Sequence, residues 1–376
     1  MRLHRRIASW ALVLAMSACA GSSQAPPVSG WRADIDALVA PFQGTDMPGV
    51  AVAVIKDGGV LYARAAGMAQ IETGEHIDGG SSFRLASLSK HFTAAAISML
   101  VREGRLRLDE RLVDVFPDFP DYGRSISIDH LLHHRAGLRD YEDLMDANRS
   151  TQISDAEILA ISKAQDGTLF APGSAFGYSN TGYVLLGLIV EQRSAMPLND
   201  YLVSRLFQPA GMRSSVMQGS GPIPNRVYGY GVADGRARLS DQSNTSATGG
   251  DGGIYASLDD MTAWLIALDG DEVLDAAQRE AMFRAVPIES APGVGYGQGW
   301  FIDHANGHLR QWHSGESRGF RHKLLRFPGR GLAVLVLSNM NRADEPALQL
   351  ADEIAGVVDP ALKLKPGSVP PPPPIN

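Results

Sequence analysis

Apolar residues recur along this chain with two periods. Trp31, Ile35, Leu38 and Val39 fall on one side of the segment from Trp31 to Ala40, and their spacing predicts a helix. Val50-Ala51-Val52-Ala53-Val54-Ile55 is a continuous apolar run of strand length, and Asp57-Gly58 turns it into Val60 to Ala65 as a hairpin. The same signal returns near the other end. Gly299 to Asp303 and Leu309 to His313 flank Asn306-Gly307, and Phe320 to Phe327 and Leu332 to Leu337 flank Pro328-Gly329-Arg330-Gly331.

Between these strands the pattern is helical. Ser127 caps a short helix through His134, with Gly137 as its stop. Tyr183 to Gln192 is apolar on nearly every side and therefore buried, whereas Leu198 to Phe207 is amphipathic. Ser257-Leu258-Asp259-Asp260 opens another helix as a capping box, with Met261, Trp264, Leu265 and Leu268 on one face. Residues 214–256 hold little regular pattern and much Gly, Ser and Asn, as stretches that wall a binding site often do. The economical architecture is α/β in the α+β sense. One antiparallel sheet forms from the N- and C-terminal strands, flanked by helices, with a mainly helical lobe inserted.

The termini have other compositions. Arg2, Arg5 and Arg6 precede the apolar run Ile7 to Ala18, which is too short to span a bilayer and reads as a signal peptide over residues 1–18. Met16-Ser17-Ala18-Cys19 resembles a bacterial lipobox, so the chain is expected to be exported and anchored to a membrane through a lipid on Cys19. An ordinary signal peptide with an incidental cysteine is the alternative. Residues 19–30 form a flexible tether, residues 31–360 one large domain or two intimate lobes, and residues 361–376 a tail containing Pro370 to Pro374.

Cys19 is the sole cysteine, which excludes an intrachain disulfide or a cysteine metal cage. Removing residues 1–18 leaves 31 basic against 41 acidic residues, a net charge of −10. That acidity argues against a nucleic-acid partner.

Chemistry enters at Ser87-Leu88-Ser89-Lys90. Ser87 falls at the N-terminal end of a buried helix, where unpaired N–H groups and the helix dipole gather. Lys90 follows one turn later on the same face, placed to take the hydroxyl proton. Tyr178-Ser179-Asn180 follows Ala171-Pro172-Gly173 in a loop ahead of the buried helix, and His313-Ser314-Gly315 ends a predicted strand. Each motif is short, but their order and placement together are specific.

Together the three motifs resemble those of the serine β-lactamase and penicillin-binding superfamily, in its class C-like branch. That branch holds class C β-lactamases, D-alanyl-D-alanine carboxypeptidases, D-aminopeptidases and family VIII esterases. Leu131-Leu132-His133-His134-Arg135-Ala136-Gly137-Leu138, Pro209-Ala210-Gly211-Met212 and Gly249 to Ser257 add to the likeness, which covers roughly residues 35–340. The chain departs from Ser-Asp-Asn and Lys-Thr-Gly at the second and third motifs.

The resemblance implies that Ser87 forms an acyl-enzyme while Lys90 and Tyr178 pass its proton to the leaving group. Asn180 holds a substrate amide or the Lys90 ammonium, and the backbone N–H groups of Ser87 and Glu316 meet the oxyanion. The substrate-binding residues are thus Asn180, His313, Gly315 and Glu316. No metal or cofactor is called for, and oligomeric state is left open.

Histidine at 313 in place of lysine removes a permanent cation. Glu316 adds a carboxylate that Arg318 or Arg321 can neutralise. Both shift the expected substrate from a β-lactam towards an ester or a peptide, with a class C-like β-lactamase as the alternative and a non-catalytic cell-wall or β-lactam sensor as the rival. His130, His133 and His134 read as structural, Gly249 to Gly253 as a tight turn beside the site, and Trp264 and Trp300 as core.

Overall fold

The computed structural model describes residues 30–146 and 148–364. The signal segment, Cys19, the tether up to Ser29 and the proline run lie outside the described residues. Eight strands make one antiparallel sheet: β1 (Val50–Lys56), β2 (Gly59–Ala66), β3 (Val286–Pro287), β4 (Gly295–Tyr296), β5 (Phe301–Ala305), β6 (His308–Ser317), β7 (Phe320–Phe327) and β8 (Leu332–Ser338). Their spatial order is β3-β4-β5-β6-β7-β8-β1-β2, so the first strand pairs with the last, Val50 opposite Ser338.

β1 lies between two apolar layers. Val50, Val52 and Val54 join the core under helices α1 (Gly30–Val39) and α5 (Pro346–Val358). Ala51, Ala53 and Ile55 join the larger core of the helical lobe. A strand covered on both faces has no polar side to show, which is why it reads as an unbroken apolar run. In that lobe α2 (Lys90–Arg102) packs against α3 (Asn180–Ser194), with α4 (Leu258–Ala267) bearing on β1. Every residue of α2 from Lys90 to Leu100 is buried.

α5 is fastened by charge as well as by its apolar stripe. Arg310 chelates Asp303 at 2.7 and 2.8 Å and reaches Asp352 of α5 at 3.3 Å, while Lys323 donates to Asp352 at 2.5 Å. Trp312 Nε1 donates to Asp303 at 3.1 Å. A buried ion group of this kind is satisfied only as a set, so loss of one member leaves a charge stranded.

Several sequence expectations need correction. The helix capped by Ser127 covers Ile128–Leu132 and ends well before Gly137, because His134 takes φ +53° and reverses the chain. Ser257 caps α4 by accepting the Asp260 N–H at 3.1 Å, but the capping box is one-sided. The Asp260 carboxylate instead accepts from Arg213 N, Ser214 N, Ser214 Oγ and Ser215 Oγ.

β5 starts at Phe301, two residues after Gly299, whose φ is +84°. The stretch 214–256 contains four short strands, Val216–Met217, Tyr230–Ala233, Arg236–Leu239 and Ile254–Ala256. Gly30 already belongs to α1, and Leu362, 1% exposed, carries the packed domain two residues past 360.

Candidate active site

Ser87 lies in a 3-10 turn, Ala86–Ser89, that feeds directly into α2. Ala86 has φ +49°, a left-handed conformation that costs a non-glycine residue about 1–2 kcal/mol. The surrounding packing holds it there. Lys90 is completely buried, and its Nζ meets three oxygens: Ser87 Oγ at 3.1 Å, Asn180 Oδ1 at 2.9 Å and the Asp251 carbonyl at 2.9 Å. Two of the three are pure acceptors. An uncharged amine has two N–H bonds for those carbonyls, and its lone pair is then left for the serine proton. The protonated amine fits the same place by donating to all three.

The glycine-rich loop that supplies the Asp251 carbonyl, with the first residue of the strand after it, is bound at three points to α2 and the turn that feeds it. Beside the Lys90 bond, Thr93 Oγ1 donates to Gly250 O at 2.7 Å and Ser89 Oγ accepts Ile254 N at 3.2 Å. A Cβ on Gly250 would stand 2.3 Å from Tyr183 O of α3, so only glycine lets the loop pass between the helices. The expected tight turn beside the site is there, and its main chain is part of the site.

Asn180 opens α3, and Ser179 is its N-cap, accepting Gly182 N at 3.3 Å. The segment after residue 130 buttresses this motif. His134 Nδ1 accepts Ser179 N at 3.1 Å, which fixes the tautomer with hydrogen on Nε2, and Asp140 accepts Asn180 N at 2.5 Å. His133 Nδ1 lies 2.9 Å from Asp129 O within its own turn.

Tyr178 is 5% exposed, with its ring centroid 5.0 Å from Lys90 Nζ. Its hydroxyl has no hydrogen-bond partner among the described residues. The lysine and the tyrosine are therefore neighbours across the ring face, with the phenol hydrogen left uncommitted.

The third motif lies within β6, which does not end there as expected but continues through Glu316 to Ser317. A Cβ on Gly315 would lie 2.3 Å from Leu85 O, so this strand can pass the serine turn only as glycine. His313 is 1% exposed. Its Nδ1 donates to Ser314 O at 2.5 Å and its Nε2 accepts the Tyr296 hydroxyl at 3.1 Å. Burial, helped by the Lys90 charge, pushes the imidazole down to about 3, so it stands as a neutral ring with both nitrogens used. Glu316 is exposed. Its Oε1 accepts from Ser314 Oγ at 3.3 Å, and Arg321 Nε lies 3.7 Å from its Oε2 and 3.6 Å from Glu345. Arg321 is thus the neutralising cation foreseen from the sequence.

Carboxylates the sequence had not marked gather behind Asn180. Glu142 Oε1 accepts Asn180 Nδ2 at 3.4 Å, and Asp251 Oδ2 accepts the Tyr141 hydroxyl at 3.2 Å. Burial, then the nearby Asp140 and Asp251 charges, pushes Glu142 up to about 7. Asp155 accepts Gly249 N at 3.1 and 3.3 Å and is likewise pushed up to about 7 by burial and then Asp251. No three-residue motif contains these acids, so only the fold reveals them.

A serine hydroxyl 3.1 Å from a buried lysine that an asparagine shares is an arrangement able to support nucleophilic catalysis. The chain belongs to the Beta-lactamase family, whose profile matches residues 35–359. It is 29% identical over 323 residues to penicillin-binding protein 4* of Bacillus subtilis, covering 81% of this chain and 69% of that one. It is 30% identical over 337 residues to the D-aminopeptidase of Gluconobacter oxydans, covering 87% of this chain and 62% of the aminopeptidase, so it spans about three fifths of that relative. Among solved structures, D-amino acid amidase from Ochrobactrum anthropi SV3 superposes with a TM-score of 0.75 at 26% identity, covering 89% of this chain and 99% of the amidase.

Proposed function

We propose that this hydrolase cleaves an ester or an amide through an acyl-Ser87 intermediate, as an esterase or a D-amino-acid peptidase. The observation that carries the reading is the threefold environment of Lys90 Nζ, at 3.1, 2.9 and 2.9 Å from Ser87, Asn180 and Asp251. Ser87 Oγ adds to the substrate carbonyl as its proton passes to the free amine of Lys90. The proton moves by way of Tyr178 to the departing alcohol or amine, and water then releases the acyl group by the reverse relay. The Ser87 and Glu316 N–H groups are the proposed oxyanion donors.

Two observations support an amine-bearing substrate over an anionic one. Glu142 and Asp140 border Asn180, where a substrate ammonium can be met by carboxylate. His313, neutral and enclosed, offers no cation to the carboxylate of a β-lactam. The relatives named D-aminopeptidase and D-amino acid amidase fit the same preference. Export and a lipid on Cys19 belong to this proposal through the sequence of residues 1–19.

A substrate panel tests it: p-nitrophenyl butyrate, a D-amino acid amide, a D-Ala-D-Ala peptide and nitrocefin. Turnover of the first two with little of nitrocefin is expected. Tight binding of any of them without turnover would move the chain to the sensor reading.

A further inference from the structure

The strand before the nucleophile carries a second, unrelated chemistry. Phe83–Arg84 pairs antiparallel with Ile254–Ala256, placing Arg84 opposite Tyr255, and Ser82 bridges Arg226 in parallel. Strand alternation divides these residues between two faces. Phe83, Val227 and Ala256 enter the main core, fully buried. Ser82, Arg84, Arg226 and Tyr255 share the opposite face.

That face is unbalanced in charge. Arg226 pairs with Asp241 and donates to the Tyr255 hydroxyl at 3.4 Å. Arg84 is 3% exposed, and no carboxylate of the described residues lies within ion-pair reach of it. Its hydrogen bond runs from Nη1 to Ser246 O at 2.9 Å. Ser82 Oγ, Arg84 Nε and Arg226 Nε are buried with no partner among the described residues. The Tyr255 hydroxyl accepts from Gln242 Nε2 at 3.0 Å as well as from Arg226, and so keeps its own hydrogen to give. An uncompensated buried guanidinium is among the costliest groups a protein can hold. Each uncommitted group on this face has a hydrogen to give, and only the Ser82 hydroxyl can also accept. A water bridging them would find that single acceptor for its two hydrogens, whereas an anion needs none.

We propose that this face binds a small monovalent anion of halide size, held by Ser82, Arg84, Arg226 and Tyr255. The site lies behind the reaction centre. Arg84 precedes Ser87 by three residues, a span of at most about 11 Å. The paired strand Ile254–Ala256 leaves the loop whose Asp251 carbonyl holds Lys90. The anion thus clamps the two segments that carry the nucleophile and the lysine's acceptor, and the enzyme is halide-dependent in stability and in rate.

Three measurements test this, and the melting and diffraction arms need no knowledge of the substrate. In halide-free gluconate buffer, replacing gluconate by bromide at constant ionic strength should raise the wild-type melting temperature by about 2–4 °C. It should also raise kcat for a simple ester several-fold with KM nearly unchanged. Crystals grown in bromide should show an anomalous peak between Arg84 and Arg226. Arg84→Met should abolish the thermal response. If that variant does not fold, Arg226→Gln should weaken bromide at least about tenfold.

Absence of the anomalous peak would overturn the proposal. A peak without any thermal or kinetic response would mean an adventitious ion only, and would overturn it equally. Bromide acting purely as a competitor that raises KM would assign the arginines to a substrate carboxylate instead, and the free-anion site would be withdrawn.

Discussion

Gly315 and Leu85 are in backbone contact: a methyl group on the glycine would come within 2.3 Å of the leucine carbonyl oxygen. Leu85 stands two residues before Ser87, so the strand carrying the third motif bears directly on the turn carrying the first. Gly315→Ala should cost about 1–3 kcal/mol of stability as strand and turn move apart. It should lower kcat by more than that loss of folded protein explains. Denaturant melts and ester hydrolysis on the same samples would separate the two effects, and an unchanged kcat would deny the coupling.

Ser87→Ala should abolish covalent labelling by a fluorophosphonate or a fluorescent penicillin while the circular dichroism spectrum stays native. Lys90→Met and Tyr178→Phe should each lower kcat by about 100- to 10,000-fold, as expected for loss of a positioned proton carrier. Labelling that survives in Ser87→Ala would remove Ser87 from its role.

The carboxyl of Glu142, pushed up to about 7, gains its charge as pH rises through neutrality. For an amine-bearing substrate kcat/KM should therefore climb between about pH 6 and 8, because the charged carboxylate attracts the ammonium. Glu142→Gln should remove that rise and raise KM for a D-amino acid amide, while sparing p-nitrophenyl butyrate. A profile identical to the wild type would exclude Glu142 from recognition.

Asp155 is pushed up to about 7 in the folded chain, above its ordinary value of 3.8. Below about pH 4 it is protonated folded or unfolded and has no effect on the balance. Between there and neutrality the unfolded chain gives up the proton first, so rising pH favours unfolding. Asp155→Asn keeps an acceptor for Gly249 N without the charge. It should melt higher than the wild type at pH 8, by about 1–3 kcal/mol, with the advantage gone near pH 4. Equal melting at pH 8 would refute the account.

Arg310, Asp303, Asp352 and Lys323 share charge beneath α5. Asp303→Ala should destabilise by about 3–5 kcal/mol, because it strands the buried guanidinium and frees the Trp312 N–H. A chemical denaturation curve would check it, and a loss below about 1 kcal/mol would show that water replaces the carboxylate.

The central strands and the three chemical motifs were legible because each has a side-chain signature. Apolar runs bounded by Asp57-Gly58 and Asn306-Gly307 can be read without coordinates, and so can Ser87 and Lys90 one helical turn apart. The two short strands at one end of the sheet, Val286–Pro287 and Gly295–Tyr296, are too short to show a period. The Asp251 carbonyl could not be found at all, because a main-chain acceptor looks the same at every residue. The one-sided cap at Ser257 has a similar cause. Asp260 had the right spacing, but stronger company waited at Arg213, Ser214 and Ser215, distant in sequence.

The pairing of Val50 with Ser338 also governs how the molecule is made. Val50 leaves the ribosome 288 residues ahead of its partner Ser338 (338 − 50). Throughout elongation β1 has one unoccupied edge, and both of its apolar faces lack part of their cover. Closing a loop of that length makes folding slow and late. A nascent chain truncated before β8 will need a chaperone's hold, and will be the form most prone to aggregate.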